Sequence, residues 1–166
     1  LHPGGLALTA RVAELLHLRR GDRMLDVGAG LGATALYLAR TLGCRVAALD
    51  LSTTNLVGAR QSSNMAGLDG AARFLVGDAE ALPFRDRVFD AVLSECAFST
   101  FPDKAQGARE IFRVLRPGGI IRVVVPDLER AIERYSVTFR QLESGHASAL
   151  REHQEDLLPI LRKVYE

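Results

Sequence analysis

Residues 25–32 read LDVGAGLG: a carboxylate, Asp26, stands inside an apolar segment and is followed by Gly28, Ala29, Gly30 and Gly32. Glycines at that spacing permit a tight turn and let a ligand approach the backbone without a Cβ in the way. A helix starting just beyond them offers its free N–H groups to the same ligand. Three further acids follow apolar segments: Asp50 after CRVAAL, Asp78 in GDAEALPF, and Glu95 in SECAFSTFPD. Asp50 comes twenty residues after Gly30, where a carboxylate can accept hydrogen bonds from two sugar hydroxyls, with Leu51 beside it. Asp78 is suited to accept from an exocyclic amine, with Leu82 and Phe84 as walls for an aromatic ring. Glu95 and Cys96 fall in the loop that would cover the reactive end of a ligand. Glu95 is the candidate base or substrate anchor, with a capping or surface carboxylate as the alternative, and Cys96 the candidate ligand for a soft acceptor.

Asp26 narrows the ligand. A lone buried carboxylate is costly. It becomes sensible if it accepts hydrogen bonds from the glycine-loop N–H groups, pinning the loop, or if it meets a cation, directly or through water. Gly28, Gly30 and Ala33 also satisfy the G-x-G-x-x-A pattern of dinucleotide sites, so a nicotinamide-type oxidoreductase is an alternative. A pyrophosphate, however, would be repelled by Asp26, and the chain has no Tyr-x-x-x-Lys pair for hydride chemistry. Asp26 therefore favours a zwitterionic ligand that carries a positive charge.

These residues are positioned by alternating apolar runs and amphipathic stretches. Helical spacing predicts an opening helix over 6–18 and a second over 32–42, closed by Gly43. A third runs from a Ser52 cap to about Met65, closed by Gly67. A fourth is capped by Asp103, with Gln106 as the other half of a capping box and a stripe of Ala108, Ile111, Phe112 and Leu115. Strands are predicted at 23–27, 44–50, 72–76, 88–94 and 120–125, the last after a turn forced by Pro117-Gly118-Gly119. Near-continuous apolar strands alternating with helices argue for an α/β fold, a doubly wound parallel sheet covered on both faces. Ligands in such sheets bind at the carboxyl ends of the strands, where the four acids lie.

The whole chain sets bounds on partners. Its 166 residues, 48% hydrophobic and 25% charged, suit one globular domain, and a net charge of +1 gives no reason to expect nucleic acid or an anionic membrane. No run of eighteen apolar residues and no signal-peptide pattern occur, so a cytoplasmic location is expected. The four histidines are scattered, and the two cysteines have no metal spacing, so no metal is expected. Cys44 reads as a buried structural thiol, and coordination of an element such as arsenic would need several thiols together.

The set LDVGAGLG, VAALDLS, GDAEALPF, FDAVLSECAFSTFPD and AREIFRVLRPGG, in this order over roughly residues 20–125, resembles the class I S-adenosylmethionine-dependent methyltransferases, in particular the small-molecule methyltransferase-domain group. The resemblance implies a Rossmann-like methyltransferase fold with seven strands. It implies that Asp26 and the glycine loop (Gly28, Ala29, Gly30, Gly32) hold the amino-acid part of S-adenosylmethionine. Asp50 with Leu51 would hold the ribose side, Asp78 with Ala79 the adenine, and Ser94 the methionine moiety. The implied activity is methyl transfer to a small-molecule acceptor, with a non-catalytic cofactor-binding or interaction module as the alternative. The C-terminus departs from that pattern. Residues 126–144 carry Leu128, Ile132, Tyr135, Phe139 and Leu142 at helical spacing, and a second stripe follows Gly145. Residues 1–126 are therefore read as the core with its N-terminal helix. Residues 127–166 are read as a helical extension of the same domain that replaces the usual terminal strand pair and offers apolar stripes for a homodimer contact.

Overall fold

A computed structural model describes residues 5–124 and 136–140. Strands β1 (Arg23–Val27), β2 (Arg45–Asp50), β3 (Ala72–Val76), β4 (Phe89–Glu95), β5 (Leu115–Val124) and β6 (Ser136–Arg140) form one sheet in the order β3-β2-β1-β4-β5-β6. The first five are mutually parallel, and β6 pairs antiparallel with β5. The chain winds outward from β1 to β3, then returns to the other side of β1 with β4. The switch in direction thus falls between β1 and β4, the place where such sheets open a crevice.

Side-chain alternation along the strands explains both layers. On one face Met24, Val46, Ala48, Ala91 and Leu93 pack under α1 (Gly5–Leu15), α2 (Ala33–Leu42) and α3 (Thr53–Met65). On the other, Leu25, Val27, Leu49, Val92 and Ile121 pack under α4 (Lys104–Val114). The stripe Ala108, Ile111, Phe112 and Leu115 is buried as expected, although Leu115 already belongs to β5. Leu82 and Phe84, candidate walls for a ring, belong to this second core instead: Leu82 is 4% exposed, and Phe84 packs edge-on against Phe89 at 4.9 Å.

Several local expectations are corrected. The opening helix stops at Leu15, and His17 takes a left-handed φ of 49° shortly after. Asp103 caps α4 by accepting from the Gln106 N–H at 2.9 Å, but Gln106 does not complete a capping box. Its side chain donates to the Glu80 carbonyl, and the Asp103 N–H donates to the Glu80 carboxylate instead. A long-range acid thus supplies what the local pattern promised. Pro117-Gly118-Gly119 does not precede β5 but sits inside it as an irregularity between the pairs Phe89–Leu115 and Ala91–Ile120, with Gly118 at a φ of 76°.

The helix expected across 126–144 is contradicted where it can be seen, because Ser136–Arg140 is a strand. The apolar spacing that suggested a helix also fits alternation at Val137 and Phe139, and β-branched and aromatic residues favour a strand. The free edge of β5 supplies the partner, register Val123–Val137, which the spacing argument did not weigh. The remainder of that expected helix, the second stripe and the homodimer contact built on them lie outside the described residues.

One side chain ties the β3–β4 connection to α4. Arg113 donates to the carbonyls of Leu82 and Phe84 and to the carboxylates of Asp86 and Glu110 at 2.7–2.9 Å. Glu110, held below the usual carboxylate range chiefly by its hydrogen bond with Arg113, also accepts from the Leu82 N–H. Arg113→Ala should therefore cost about 2 kcal/mol, since two carbonyls and a partly buried carboxylate lose their donor. Urea denaturation measures it, and a cost below about 0.5 kcal/mol would show that water replaces the guanidinium freely.

Candidate active site

The turn after β1 is built from backbone close approaches. Gly28 and Ala29 both donate to the Leu49 carbonyl, at 2.8 and 3.0 Å, which lays the turn across the end of β2. Gly28 has a φ of 76°, and a Cβ there would meet the Cβ of Ala97 at 2.2 Å. Gly32, at a φ of 77°, would place one 2.5 Å from the Phe74 ring. Both glycines are thus required by the fold. Gly30 is different: its φ is 55°, yet nothing lies within 4 Å of a Cβ built on it.

A cavity of about 290 Å³ opens beside this turn at the β1/β4 switch. Of the predicted site residues, Asp26, Gly28, Ala29, Gly30 and Glu95 line it. Ala33 of the G-x-G-x-x-A pattern lines it as well, as do Leu31, Thr34 and Asn55, which the sequence pattern does not mark. Asp26 pairs with Leu93 in the β1/β4 register, and Glu95 follows two residues later on the same face of the sheet. Both are buried, Asp26 to 1% and Glu95 to 8% exposure.

The two acids are held differently. Thr34 of α2 donates to Glu95 Oε2 at 2.7 Å, and Thr9 of α1 reaches both Glu95 oxygens at 3.4 Å. Thr34 was legible in principle, being a hydroxyl in the first turn of a helix whose other buried positions are apolar. Thr9 gave no comparable signal. Asp26 Oδ2, by contrast, is buried with no hydrogen-bond partner. The expectation that Asp26 pins the glycine loop is therefore wrong, and Asp50 does that work. Its Oδ2 accepts from the Gly30 N–H at 2.7 Å and its Oδ1 from the Ser52 N–H at 2.8 Å. The reason is position: Asp50 ends β2 beneath the turn that crosses it, whereas Asp26 lies inside β1.

The other predicted residues are not brought to this cavity. Asp78 ends up at the same sheet edge as Asp50, because the Gly77 N–H donates to the Asp50 carbonyl, but its carboxylate accepts locally from the Glu80 N–H at 2.8 Å. Ala79 is buried in the core beneath α4, and Leu51 is 70% exposed. Ser94 alternates to the opposite face from Glu95 and is buried with its hydroxyl unpartnered. Cys96 lies just past Glu95 in a left-handed conformation, φ 61°, held by its N–H to the Val124 carbonyl at 2.7 Å. Its thiol is pushed up by burial and by Glu95. Cys44 is buried before β2, at the opposite end of the parallel sheet from Cys96, so the two thiols cannot act together. Among the described residues no cluster of three His, Cys, Asp or Glu is placed to hold a metal ion, and no helix is long and apolar enough to cross a membrane.

Burial, then the negative fields of Glu95 and Asp50, push Asp26 from 3.8 up to about 8. Between those values the folded protein holds a proton that the unfolded chain has released. The contribution of Asp26 to stability is thus fully present below its unfolded value and is lost as pH rises towards about 8. Asp26→Asn lacks this dependence. Its melting temperature relative to the parent, without ligand, should rise by about 3 °C or more between pH 5 and pH 8. A constant difference across that range would show that Asp26 is ionised throughout.

Comparison with known proteins agrees with this geometry. The methyltransferase domain family matches residues 25–123, more than half of the chain. The chain is 36% identical over 128 residues to the methyltransferase GfsG of Streptomyces halstedii, covering 77% of this chain and 45% of that protein. It is 40% identical over 120 residues to a fatty-acid O-methyltransferase of Mycolicibacterium smegmatis, covering 68% and 42%. Among solved structures, the [4+2]-cyclase SpnF superposes with a TM-score of 0.69 at 36% identity, over 70% of this chain and 43% of that one. The chain thus spans less than half the length of these relatives. The matched segment begins within β1 and ends within β5, enclosing the glycine turn and all four acids, and the chain belongs to the methyltransferase domain family, the class I S-adenosylmethionine-dependent methyltransferases.

Proposed function

We propose that this chain carries the cofactor site of an S-adenosylmethionine-dependent methyltransferase that methylates a small molecule. The observation that carries the reading is Asp26: a buried carboxylate, without a donor from the protein, facing a glycine-lined cavity. Such a group fits a ligand that brings its own cation, and the amino-acid arm of the cofactor carries an ammonium. The open space over Gly30 fits the same arm, since a Cβ there would enter the space beside the turn without touching protein.

In this reading Asp26 and the Gly28–Gly32 turn hold the amino-acid part of the cofactor. Asp50 holds the ribose. Each of its oxygens already accepts one backbone N–H and keeps lone-pair capacity for a hydroxyl, so loop pinning and sugar binding are compatible. Leu51 would lie beside Asp50 on the ribose side, Asp78 with Ala79 would meet the adenine, and Ser94 the methionine side. When bound, the cofactor supplies a methyl group already activated on a sulfonium. The protein's task is then alignment and exclusion of water, with proton removal only for an acceptor that arrives protonated. Glu95, oriented by Thr34, is the candidate base or anchor, and Cys96 the candidate contact for a soft acceptor.

The relatives support a small-molecule acceptor without singling one out. Their names specify a fatty acid, sarcosine and dimethylglycine, and a phytyl hydroquinone. What their names have in common is methyl transfer. A second reading, a cofactor-binding fold that does not transfer methyl groups, is favoured by the resemblance to a protein named as a cyclase. Tight S-adenosylhomocysteine binding with no transfer across an acceptor panel of fatty acids, amino acids and phenols would support it over the first.

Thermal shift with S-adenosylhomocysteine against NAD tests the cofactor directly, with stabilisation expected only from the former. Asp50→Ala should weaken S-adenosylhomocysteine binding by about 1–3 kcal/mol, the loss of a charged hydrogen-bond partner, and Asp50→Asn by less. Calorimetric titration measures both, and unchanged affinity in Asp50→Ala would remove Asp50 from the site.

A further inference from the structure

We infer that Asp26 keeps its proton beside the Glu95 carboxylate in the ligand-free protein, and that a ligand bearing an α-ammonium group displaces this proton to solvent, so that the site reads the amino-acid arm of its ligand by exchanging one proton for one cation. The inference rests on the proposed cofactor and adds a selectivity device to it.

The geometry comes first. Asp26 and Glu95 lie on neighbouring parallel strands, on the same face of the sheet, and line one cavity. Thr34 and Thr9 fix the Glu95 carboxylate from α2 and α1, while Asp26 Oδ2 has no donor at all. The charges acting on Asp26 are Glu95 from β4 and Asp50 from β2, both negative. α2 contributes the Thr34 hydroxyl, spent on Glu95, and Cys96 beyond β4 carries a thiol whose burial favours its neutral form. Arg11 of α1 and Arg122 of β5, the cations of nearby elements, do not figure among the charges that act on it. A buried acid facing two acids and no donor is most stable neutral, and burial with these fields pushes it up to about 8.

An ammonium entering the cavity reverses that balance. It supplies the opposite charge and the N–H donors that Asp26 lacks, so the carboxylate form becomes the favoured one. The O–H bond of Asp26 breaks, its electron pair stays on the carboxylate, and the proton passes to the buffer. A ligand with the same adenosine and thioether but no ammonium gives Asp26 no reason to ionise. A buried polar group that needs a specific partner discriminates more sharply than an apolar pocket does, because the wrong ligand leaves it unsatisfied.

Calorimetric titration in phosphate and in Tris, whose ionisation enthalpies differ, counts the protons released. With S-adenosylhomocysteine near pH 7, close to one proton per ligand should be released, and the association constant should rise by up to about tenfold per pH unit between pH 6 and 7.5. With 5′-methylthioadenosine, which lacks the amino-acid arm, the release should vanish, as it should for S-adenosylhomocysteine with Asp26→Asn. Glu95→Gln, which removes one of the fields acting on Asp26, should move the release to lower pH, and this holds the test open if Asp26→Asn fails to fold. Binding of S-adenosylhomocysteine without proton release, or equal release with both ligands, would overturn the inference and leave the proposed function standing. No binding of S-adenosylhomocysteine would overturn both.

Discussion

Asp26 sits near the carboxyl end of β1 with Oδ2 sealed from water and offered no donor by the protein. Other acids nearby are matched: Glu95 by threonines, Asp50 by backbone N–H groups, Glu110 by Arg113. A buried acid left without a donor while its neighbours are matched calls for an explanation, and the proposed one is a ligand that brings the missing cation. The sheet changes winding direction between β1 and β4, which opens the cavity, and α1 and α2 each bring a threonine hydroxyl to Glu95.

Division of labour between Asp26 and Asp50 makes this possible. Had Asp26 been the acceptor for the glycine turn, its charge would be spent on the protein. Asp50 holds the turn from the next strand, so the turn stays rigid while Asp26 stays uncommitted. The glycines divide in the same way. Gly28 and Gly32 are forced by close neighbours, whereas Gly30 faces open space.

Much of the fold was legible because parallel strands buried on both faces leave a strong apolar signal, and because caps such as Ser52 and Asp103 are local. The acids at the strand ends were legible for the same reason, since a charge next to such a strand stands out. What could not be read was pairing over long sequence separations. Glu80 taking the place of Gln106 at the α4 cap, and Thr9 meeting Glu95, depend on which strands become neighbours. Leu82 and Phe84 read as ligand walls from their place after β3, yet the core beneath α4 claimed them. Residues 136–140 read as helix because spacing alone cannot weigh the pull of an open sheet edge.

The central claim is that the acids at successive strand ends surround one cationic, adenosine-bearing ligand. A crystal structure of the complex with S-adenosylhomocysteine tests it most directly. The ligand's ammonium is expected within hydrogen-bond reach of Asp26, directly or through one water, with the ribose hydroxyls on Asp50. A bound ligand that leaves Asp26 Oδ2 without a donor, or lies away from the β1/β4 cavity, would contradict it.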